Sequence, residues 1–220
     1  MLFDALDFID DPNPRSAAMN MAVDEALLAR LRRPTLRVYR WARPAVSFGY
    51  FEKWDAVADS LAGREPVRRW TGGGIVPHGG DFTYTLLVPG GDVFLRRKSS
   101  ESYRAIHERI VATLALQGFQ ASLCERVSEA DSRACFEKPV GCDVMLGGRK
   151  IAGAAQRRTR SGLLQQGSIQ NVGLPENFGL CFSALLSPRV VAAAVEDDLL
   201  ADASLLAREK YGTDAWLRKF

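Results

Sequence analysis

The segment RRWTGGGIVPH, residues 68–78, combines two arginines, three consecutive glycines and a histidine. It lacks the Lys-Ser/Thr pair of a P-loop, and it is not a G-x-G-x-x-G turn that opens a helix. Glycine weakens a strand unless a bulge, a tight bend or a ligand needs the room. We therefore expect the uncovered backbone amides to bind a carbonyl, carboxylate or phosphate oxygen, with charge-assisted contacts from Arg68 and Arg69. A flexible loop without a ligand is the alternative.

A second candidate group is Lys150, which follows a Gly147-Gly148 pair in the segment GGRKIAGAAQ. Two glycines tolerate positive φ at both central positions of a tight turn, so the segment predicts a hairpin. The small residues after the lysine, Gly153 and Ala154 among them, leave space on one face of the sheet. An ammonium beside such space can bind a carboxylate or carbonyl oxygen, although a lysine next to a turn is also common as a plain surface residue.

The cysteines offer a nucleophile. The chain has four, Cys124, Cys135, Cys142 and Cys181, with no C-x-x-C pair and only two histidines, which argues against a zinc or other metal site. Cys135, in ACFEKP, lies in a segment that looks irregular, and a loop cysteine near a cation can attack as a thiolate. Cys181, in NFGLCFSALL, is the competing nucleophile. Cys124 and Cys142 lie on strand-like stretches and suit the core.

Helical patterns flank these segments. Asn13-Pro14 can cap a helix that runs to about Arg33 and carries Asp24 in the middle of its apolar face. A buried carboxylate needs a partner, so Asp24 indicates a structural salt bridge or a capped loop. A second helix, from Ser99 or Ser100 to before Gly118, holds His107 on its apolar side. A single histidine there is most often a satisfied core residue. Helical sequence that opens at Ser187-Pro188 and continues, with interruptions, to the C-terminus is also expected.

Strand-like patterns occupy most of the remaining chain. We predict strands at 36–41 and 45–50, joined by a turn, and at 82–88, where apolar and polar residues alternate. The Gly147-Gly148 hairpin and a strand at 163–169 follow. Strands interleaved with a few helices and joined by short hairpins predict an α+β fold, with a mixed, largely antiparallel sheet and packed helices.

Composition narrows the class of protein. The 220 residues are 47% apolar, and 29 basic against 26 acidic side chains leave a net charge of +3, too near balance to indicate a nucleic-acid binder. The start, MLFDALDFIDD, lacks the basic region of a secretion signal, and no stretch has the apolar length to span a bilayer. We expect a cytoplasmic protein with no nucleic-acid or membrane partner. Without repeats or linkers, residues 1–220 are expected to form one domain.

Taken together, the motifs resemble one family. RRWTGGGIVPH, PAVSFGYF, MNMAVDEALL and GRKIAGAAQRRTRSGLLQQGSI are similar, in order, to the lipoate-protein ligases and octanoyltransferases, whose fold is shared with biotin-protein ligases. The resemblance spans roughly residues 5–175. It implies a sheet-based catalytic domain that binds an eight-carbon acyl chain and modifies a lysine of a small lipoyl or glycine-cleavage H domain.

The resemblance also implies roles for residues. The Arg-Arg and triple-glycine loop would close over the acyl carboxyl group or its adenylate, and Lys150 matches the lysine that contacts the reacting oxygen. Cys135 matches the acyl-accepting cysteine of one octanoyltransferase branch, whereas another branch places its cysteine later, near Cys181. Cys135 and Lys150 are therefore the expected catalytic residues. The expected acyl- and substrate-binding residues are Arg68, Arg69, Gly72, Gly73, Gly74, His78, Gly153 and Ala154.

The family contains two chemistries. Ligases activate free lipoate with ATP and Mg²⁺, and often carry an accessory C-terminal domain. Transferases take an octanoyl or lipoyl group from a carrier, such as acyl carrier protein or a lipoyl or H-protein donor, and need no cofactor. Only 45 residues follow residue 175, expected as a helical extension, and Gly79 and Gly80 stand after His78 where the family more often has an acidic residue. Both features favour a transferase.

Three alternatives remain open: an ATP-dependent lipoate-protein ligase, a non-catalytic accessory subunit that binds acyl-adenylate, and a biotin transferase, whose glycine-arginine loop usually differs. Arg157, Arg158 and Arg160 follow the lysine strand. They are candidates to contact an acidic carrier or lipoyl domain, and a solvated turn is the alternative.

Overall fold

A mixed sheet forms the centre of the molecule. The structure, a computed structural model, describes residues 1–125 and 141–220, and eight strands within them form this sheet. The strands are β1 Leu6–Asp10, β2 Thr35–Tyr39, β6 Phe82–Pro89, β7 Ala121–Leu123, β8 Val144–Leu146, β9 Arg149–Thr159, β10 Gly162–Ile169 and β11 Val190–Ala192. They pair in the order β11-β1-β2-β6-β10-β9-β8-β7. The two contacts of β1 are parallel and the other contacts are antiparallel.

A second, three-stranded sheet carries the glycine-rich segment. It consists of β3 (Ala45–Phe48) between β4 (Glu65–Arg68), which runs parallel to it, and β5 (Ile75–His78), which runs antiparallel. The loop that connects β4 to β5 holds the three glycines. This small sheet therefore fixes both ends of the loop.

Helices cover both faces of the large sheet. The helices of the described residues are α1 Ala17–Arg30, α2 Trp54–Ala58, α3 Ser99–Leu116, α4 Phe178–Leu186, α5 Asp197–Leu206 and α6 Asp214–Leu217, with a 3-10 turn at Val93–Arg96 and a π-helical turn at Ala207–Tyr211. Apolar residues of α3 and α4 pack with one face of the sheet. Those of α1 and α5 pack with the other face and with the small sheet. No helix in the described parts of the chain has the length and apolarity to cross a membrane.

The predicted fold class is confirmed, and most predicted elements are present. The predicted hairpin turn lies at Gly147 and Gly148, whose φ values are +56° and +76°. The first helix begins later than predicted because the Ser16 hydroxyl, rather than Asn13-Pro14, caps it by accepting a hydrogen bond from the Met19 amide.

The strands predicted at 36–41 and 45–50 are present as β2 and β3, which belong to different sheets. One prediction was wrong. The chain after Ser187-Pro188 does not continue as helix, because β11 first adds to the edge of the large sheet, parallel to β1, with Leu6 opposite Val190. The helices that follow pack on α1, where Arg30 forms ion pairs with Asp198 and Asp202.

Candidate functional site

The glycine loop packs backbone against backbone. A Cβ atom on Gly49, just after β3, would lie 1.7 Å from the carbonyl oxygen of Gly73, and Gly73 itself has a φ of +85°. Both positions therefore require glycine. Arg69 holds the loop from inside, because its guanidinium donates hydrogen bonds to the carbonyl oxygens of Gly72 (3.0 Å) and Gly74 (2.9 Å). The glycine stretch is a fixed loop rather than a flexible one.

One cavity lies between this loop and the large sheet. Its lining includes side chains of β9 and β10, of the small sheet and of α1, and most of it is apolar. Six of the residues predicted for the site lie on its wall: Arg69, Gly73, His78, Lys150, Gly153 and Ala154. The loop and the lysine, which are distant in sequence, thus face the same hollow.

Lys150 enters the cavity as half of a buried ion pair. Its Nζ lies 2.8 Å from Oδ2 of Asp143, and both side chains are buried. The other carboxylate oxygen of Asp143 accepts a hydrogen bond of 2.5 Å from the Tyr103 hydroxyl, which itself accepts one from the Ala154 amide. Burial and the adjacent carboxylate raise the pKa of Tyr103 well above its usual value, so it remains a donor. Asp143 and Tyr103 therefore fix the position of the ammonium group.

The position of the Lys150 ammonium depends on the neighbouring Gly153. A Cβ atom there would lie 2.9 Å from Cε and 3.0 Å from Nζ of Lys150, and 3.4 Å from Oδ1 of Asp143. The atoms that would have to yield belong to the flexible end of the lysine, so the strand can tolerate a methyl group while the ammonium moves.

If Lys150 contacts the reacting oxygen, as the family resemblance implies, Gly153→Ala should lower the catalytic rate by about 10- to 100-fold, since displacing a reacting or polarising group by about 1 Å can cost 10²-fold. Thermal unfolding should change by only a few degrees. Gly173→Ala is the matched control, because Gly173 has open space around its Cα and is exposed. Initial rates and melting curves of both variants test the prediction, and equal rates for Gly153→Ala and wild type would contradict it.

His78, on β5 of the small sheet, is the centre of a hydrogen-bonded chain at the cavity wall. Its Nδ1 lies 2.8 Å from Oδ2 of Asp81, its Nε2 lies 2.6 Å from Oγ of Ser47, and its ring stacks on Trp41 with centroids 4.2 Å apart. Burial lowers the pKa of His78, and the Asp81 carboxylate offsets this only in part. The imidazole is therefore neutral near neutral pH, with Nδ1–H donating to Asp81 and Nε2 accepting from Ser47.

Three residues of the predicted set lie elsewhere. Arg68 does not reach the cavity, because its guanidinium is buried and donates to backbone carbonyls that include those of Tyr50, Glu52 and Leu217. It ties the chain near the C-terminus to the loop after β3. Gly72 and Gly74 are not on the cavity wall either, and their carbonyl oxygens bind Arg69.

The three cysteines of the described residues are not on the wall of this cavity. Cys135 lies outside the described residues. Cys181 is on α4, half-buried, and is not part of the cavity wall. Cys142 and Cys124 are also half-buried, and the Cys142 amide donates to the Cys124 carbonyl oxygen at 2.9 Å. Cys135 remains the proposed nucleophile.

His107 is a core residue that packs against Tyr103. It is fully buried, and its Nδ1 lies 2.7 Å from the Cys142 carbonyl oxygen. Burial lowers its pKa to about 4. It does not line the cavity, in keeping with the expectation of a structural histidine.

The arginines after the lysine strand are mostly held in place. Arg157 lies over the rings of Trp70 and Tyr50, and Arg158 donates to the carbonyl oxygen of Leu95 and to the Ser102 hydroxyl. Arg160 is exposed in the turn after β9. Of the three arginines, Arg160 keeps its charge most available to solvent.

The polar residues of the site that were missed from the sequence include Ser47, Asp81, Tyr103 and Asp143. The only usable signals were the spacing of Asp81 three positions after His78 and the position of Tyr103 one helical turn before His107. Asp143 gave no signal, because a lone aspartate before a short strand has many roles.

The chain is similar in sequence to curated octanoyltransferases. Octanoyltransferase LipM of Kyrpidia tusciae is 39% identical over 169 residues, which is 70% of this chain and 62% of that protein. Octanoyltransferase LipM of Oceanobacillus iheyensis is 38% identical over 165 residues, 71% of this chain and 60% of that one. The matched part thus spans about three-fifths of the length of these curated relatives.

Solved structures share the fold. A T. acidophilum protein with bound lipoic acid superposes with a TM-score of 0.72 at 22% identity and covers 100% of both chains. Lipoate-protein ligase A bound with ATP superposes with a TM-score of 0.73 at 22% identity over 99% of both chains. At such identities the likeness concerns the fold alone. The lipoyl protein ligase A/B catalytic domain matches residues 16–182, well over half of the sequence, and the chain therefore belongs to that family.

Proposed function

We propose that this chain is an octanoyltransferase of protein lipoylation. It takes an octanoyl or lipoyl group from a carrier thioester and transfers it, through a thioester on Cys135, to a lysine of a lipoyl or H-protein domain. The observation that carries the proposal is an apolar cavity whose wall contains both the glycine loop and the buried Lys150–Asp143 pair. The family match and the octanoyltransferases among the relatives support it.

The cavity suits a substrate that is apolar with one polar end. Burying about seven methylene groups contributes about 5 kcal/mol at ~0.8 kcal/mol each. Ala154 and Ala155 leave room for such a chain on β9, and the ammonium of Lys150, which packs against Gly153, lies beside them. The reacting carbonyl group is thereby placed next to a fixed positive charge.

The reaction then has two steps. The Cys135 thiolate attacks the carbonyl carbon of the donor, the carbon–sulfur bond to the carrier breaks, and the carrier leaves as a thiol after taking up a proton. The amine of the acceptor lysine next attacks the acyl-enzyme, which forms the amide and releases Cys135. In both steps Lys150 stabilises the negative charge that develops on the carbonyl oxygen.

The ATP-dependent alternative is less well supported by the contacts near His78. A nucleotide-bound Mg²⁺ would need oxygen ligands, and the carboxylate beside His78 is that of Asp81. Its two oxygens already accept hydrogen bonds from the Gly79 amide, the Thr83 and Ser168 hydroxyl groups and His78. Three of these four bonds converge on Oδ2, so that oxygen has no lone pair for a metal, and only Oδ1 retains one.

The test is an acylation without ATP. The protein is incubated with octanoyl-acyl carrier protein, and peptide mass spectrometry locates any octanoyl adduct. We expect an adduct on Cys135, its transfer to an added lipoyl domain, and the same adduct in the control variant Cys181→Ser. An adduct confined to Cys181, or modification that requires ATP and free lipoate, would overturn the proposal. A biotin-carrier domain offered in place of the lipoyl domain should remain unmodified.

A further inference from the structure

We propose that Ser47, His78 and Asp81 form a second nucleophilic centre in this cavity, which makes the chain an acyl hydrolase. The Ser47 hydroxyl accepts the acyl group of a medium-chain thioester or activated ester, and water then releases it as a free carboxylic acid. The inference rests on the proposed function only in that the cavity admits a medium-length acyl chain. It does not depend on Cys135.

The three side chains have the arrangement of nucleophile, base and orienting acid. Ser47 Oγ lies 2.6 Å from His78 Nε2, and His78 Nδ1 lies 2.8 Å from Asp81 Oδ2. Both distances are within the range required of such a relay. Ser47 is on β3 and His78 on β5, two strands that pair directly, so the backbone of the small sheet fixes their separation.

Neighbouring groups hold each member in its working orientation. The ring of Trp41 stacks on His78 at 4.2 Å between centroids. The Ser168 and Thr83 hydroxyl groups donate to Asp81 Oδ2 at 2.6 and 2.9 Å, and the Gly79 amide donates to the other oxygen. These contacts favour the charged carboxylate, and the pKa of Asp81 lies below its ordinary value despite its burial.

The direction of the hydrogen bonds supports a proton-accepting histidine. Arg69 donates to Ser47 Oγ at 2.7 Å, so the serine proton is left to point at His78 Nε2. Asp81 can only accept, so Nδ1 carries the ring proton. Burial lowers the pKa of His78, which keeps the ring neutral and ready to take the serine proton near pH 7.

The serine end of the relay opens into the cavity. Ser47 is only 1% exposed, yet Ser47, His78 and Arg69 all contribute to the cavity wall. A reagent must therefore enter the acyl-binding cavity to reach the hydroxyl group. This selects apolar acyl chains with an electrophilic head and excludes large polar esters.

The chemistry balances without a cofactor. Ser47 Oγ bonds to the carbonyl carbon while its proton passes to His78 Nε2, the bond to the leaving thiol or alcohol breaks, and that group departs with the proton. A water molecule then gives a proton to His78 and attacks the ester, which releases the carboxylic acid and restores the serine. Arg69 and Lys150 line the same cavity, and their positive charges stabilise the negative charge of the tetrahedral intermediates.

A purely structural relay, which would only fix Arg69 against the glycine loop, makes a different prediction. A hydrogen-bonded but unactivated serine does not react with fluorophosphonates. An activated serine does, and the phosphorus–oxygen bond forms with loss of fluoride. Covalent labelling therefore separates the two roles.

The experiment uses the full chain carrying Cys135→Ala, so that no thioester can form at that position. It is treated with an octyl fluorophosphonate, and 4-nitrophenyl octanoate hydrolysis is followed in parallel without acceptor protein. We expect one adduct on the peptide that contains Ser47, and hydrolysis that falls at least 100-fold in Ser47→Ala and in His78→Gln. Ser204→Ala is the control, because Ser204 lies exposed on α5.

No adduct, an adduct on another residue, or equal hydrolysis by Ser47→Ala and its parent would overturn the inference. Mapping of the adduct in the parent chain decides the question even if a variant fails to fold. Because the assay contains neither a lipoyl domain nor Cys135, its failure leaves the proposed transferase untouched. Failure of acyl transfer to the lipoyl domain likewise leaves this inference untouched.

Discussion

Replacing Lys150 by methionine is expected to lower acyl transfer to a lipoyl domain by about 10²–10³-fold, or about 3–4 kcal/mol of transition-state stabilisation. Methionine keeps the length of the side chain and removes its charge. The ammonium lies on the cavity wall at a position fixed by Asp143, which is itself held by Tyr103. Because a preorganised charge acts on the transition state more than on the substrate, the loss should appear mainly in kcat.

Lys150→Met alone also destabilises the fold, and a second variant is needed to separate this effect from the loss of catalysis. Asp143 is fully buried, and a buried charge that loses its partner costs about 3–5 kcal/mol of stability. The double variant Lys150→Met/Asp143→Asn leaves no charge at this buried pair, and the amide oxygen can still accept from Tyr103. We expect it to unfold close to the wild-type temperature and to remain as inactive as Lys150→Met.

Arg149→Met is the matched control, since Arg149 precedes the lysine on the same strand and is exposed. Its kcat should stay within about twofold of wild type. Recovery of transfer in the double variant along with its stability would mean that Lys150 acts only through folding, and that result would remove it from the mechanism. The Cys135 adduct measured in each variant shows which of the two steps has slowed.

The site was predictable from the sequence where the local chain alone sets the geometry. A glycine pair before Lys150 dictates a tight turn, and the small residues after it leave space on one face of the strand. The glycine stretch likewise needed a close approach, which turned out to be backbone packing of Gly73 against Gly49. That both segments meet at one cavity came from the family resemblance and not from these local rules.

The rest depends on contacts between distant parts of the chain. Arg68 and Arg69 are adjacent and chemically identical, but successive side chains of an extended chain point to opposite sides, so only one reaches the cavity. Asp81 was missed for a related reason. The sequence placed Gly79 and Gly80 where an acidic residue was expected, whereas the loop they form brings the Asp81 carboxylate back to His78. No local rule decides either outcome.

The largest loss of stability is expected from Arg37→Met. Arg37 is fully buried on β2, where its guanidinium donates to Asp24 and Asp11 at 2.8 Å each and to the side chain of Asn20 at 2.9 Å. Arg15 can still neutralise Asp11, but Asp24 would keep only the uncharged donors Thr85 and Gln166. This is the buried partner that the position of Asp24 on its helix predicted.

We expect Arg37→Met to lower the free energy of unfolding by about 3–5 kcal/mol. At about 2–4 °C per kcal/mol for a chain of this size, the melting temperature should fall by roughly 10 °C. Arg104→Met removes an arginine whose side chain is 56% exposed and lies 3.9 Å from Glu108, so it should change stability by at most about 1 kcal/mol. Denaturant unfolding of both variants at pH 7 makes the comparison.

The pH dependence of stability identifies why Arg37→Met is destabilised. Burial already raises the pKa of Asp24, and without Arg37 it rises further. A carboxyl group whose pKa is higher in the folded state binds a proton more tightly when folded, so the variant should regain stability relative to wild type as the pH falls from 7 towards 5. Arg37→Met/Asp24→Asn should recover part of the loss at pH 7 and show less of this pH dependence. A loss that is independent of pH and not relieved by the second substitution would place the cost in packing rather than in the unpaired charge.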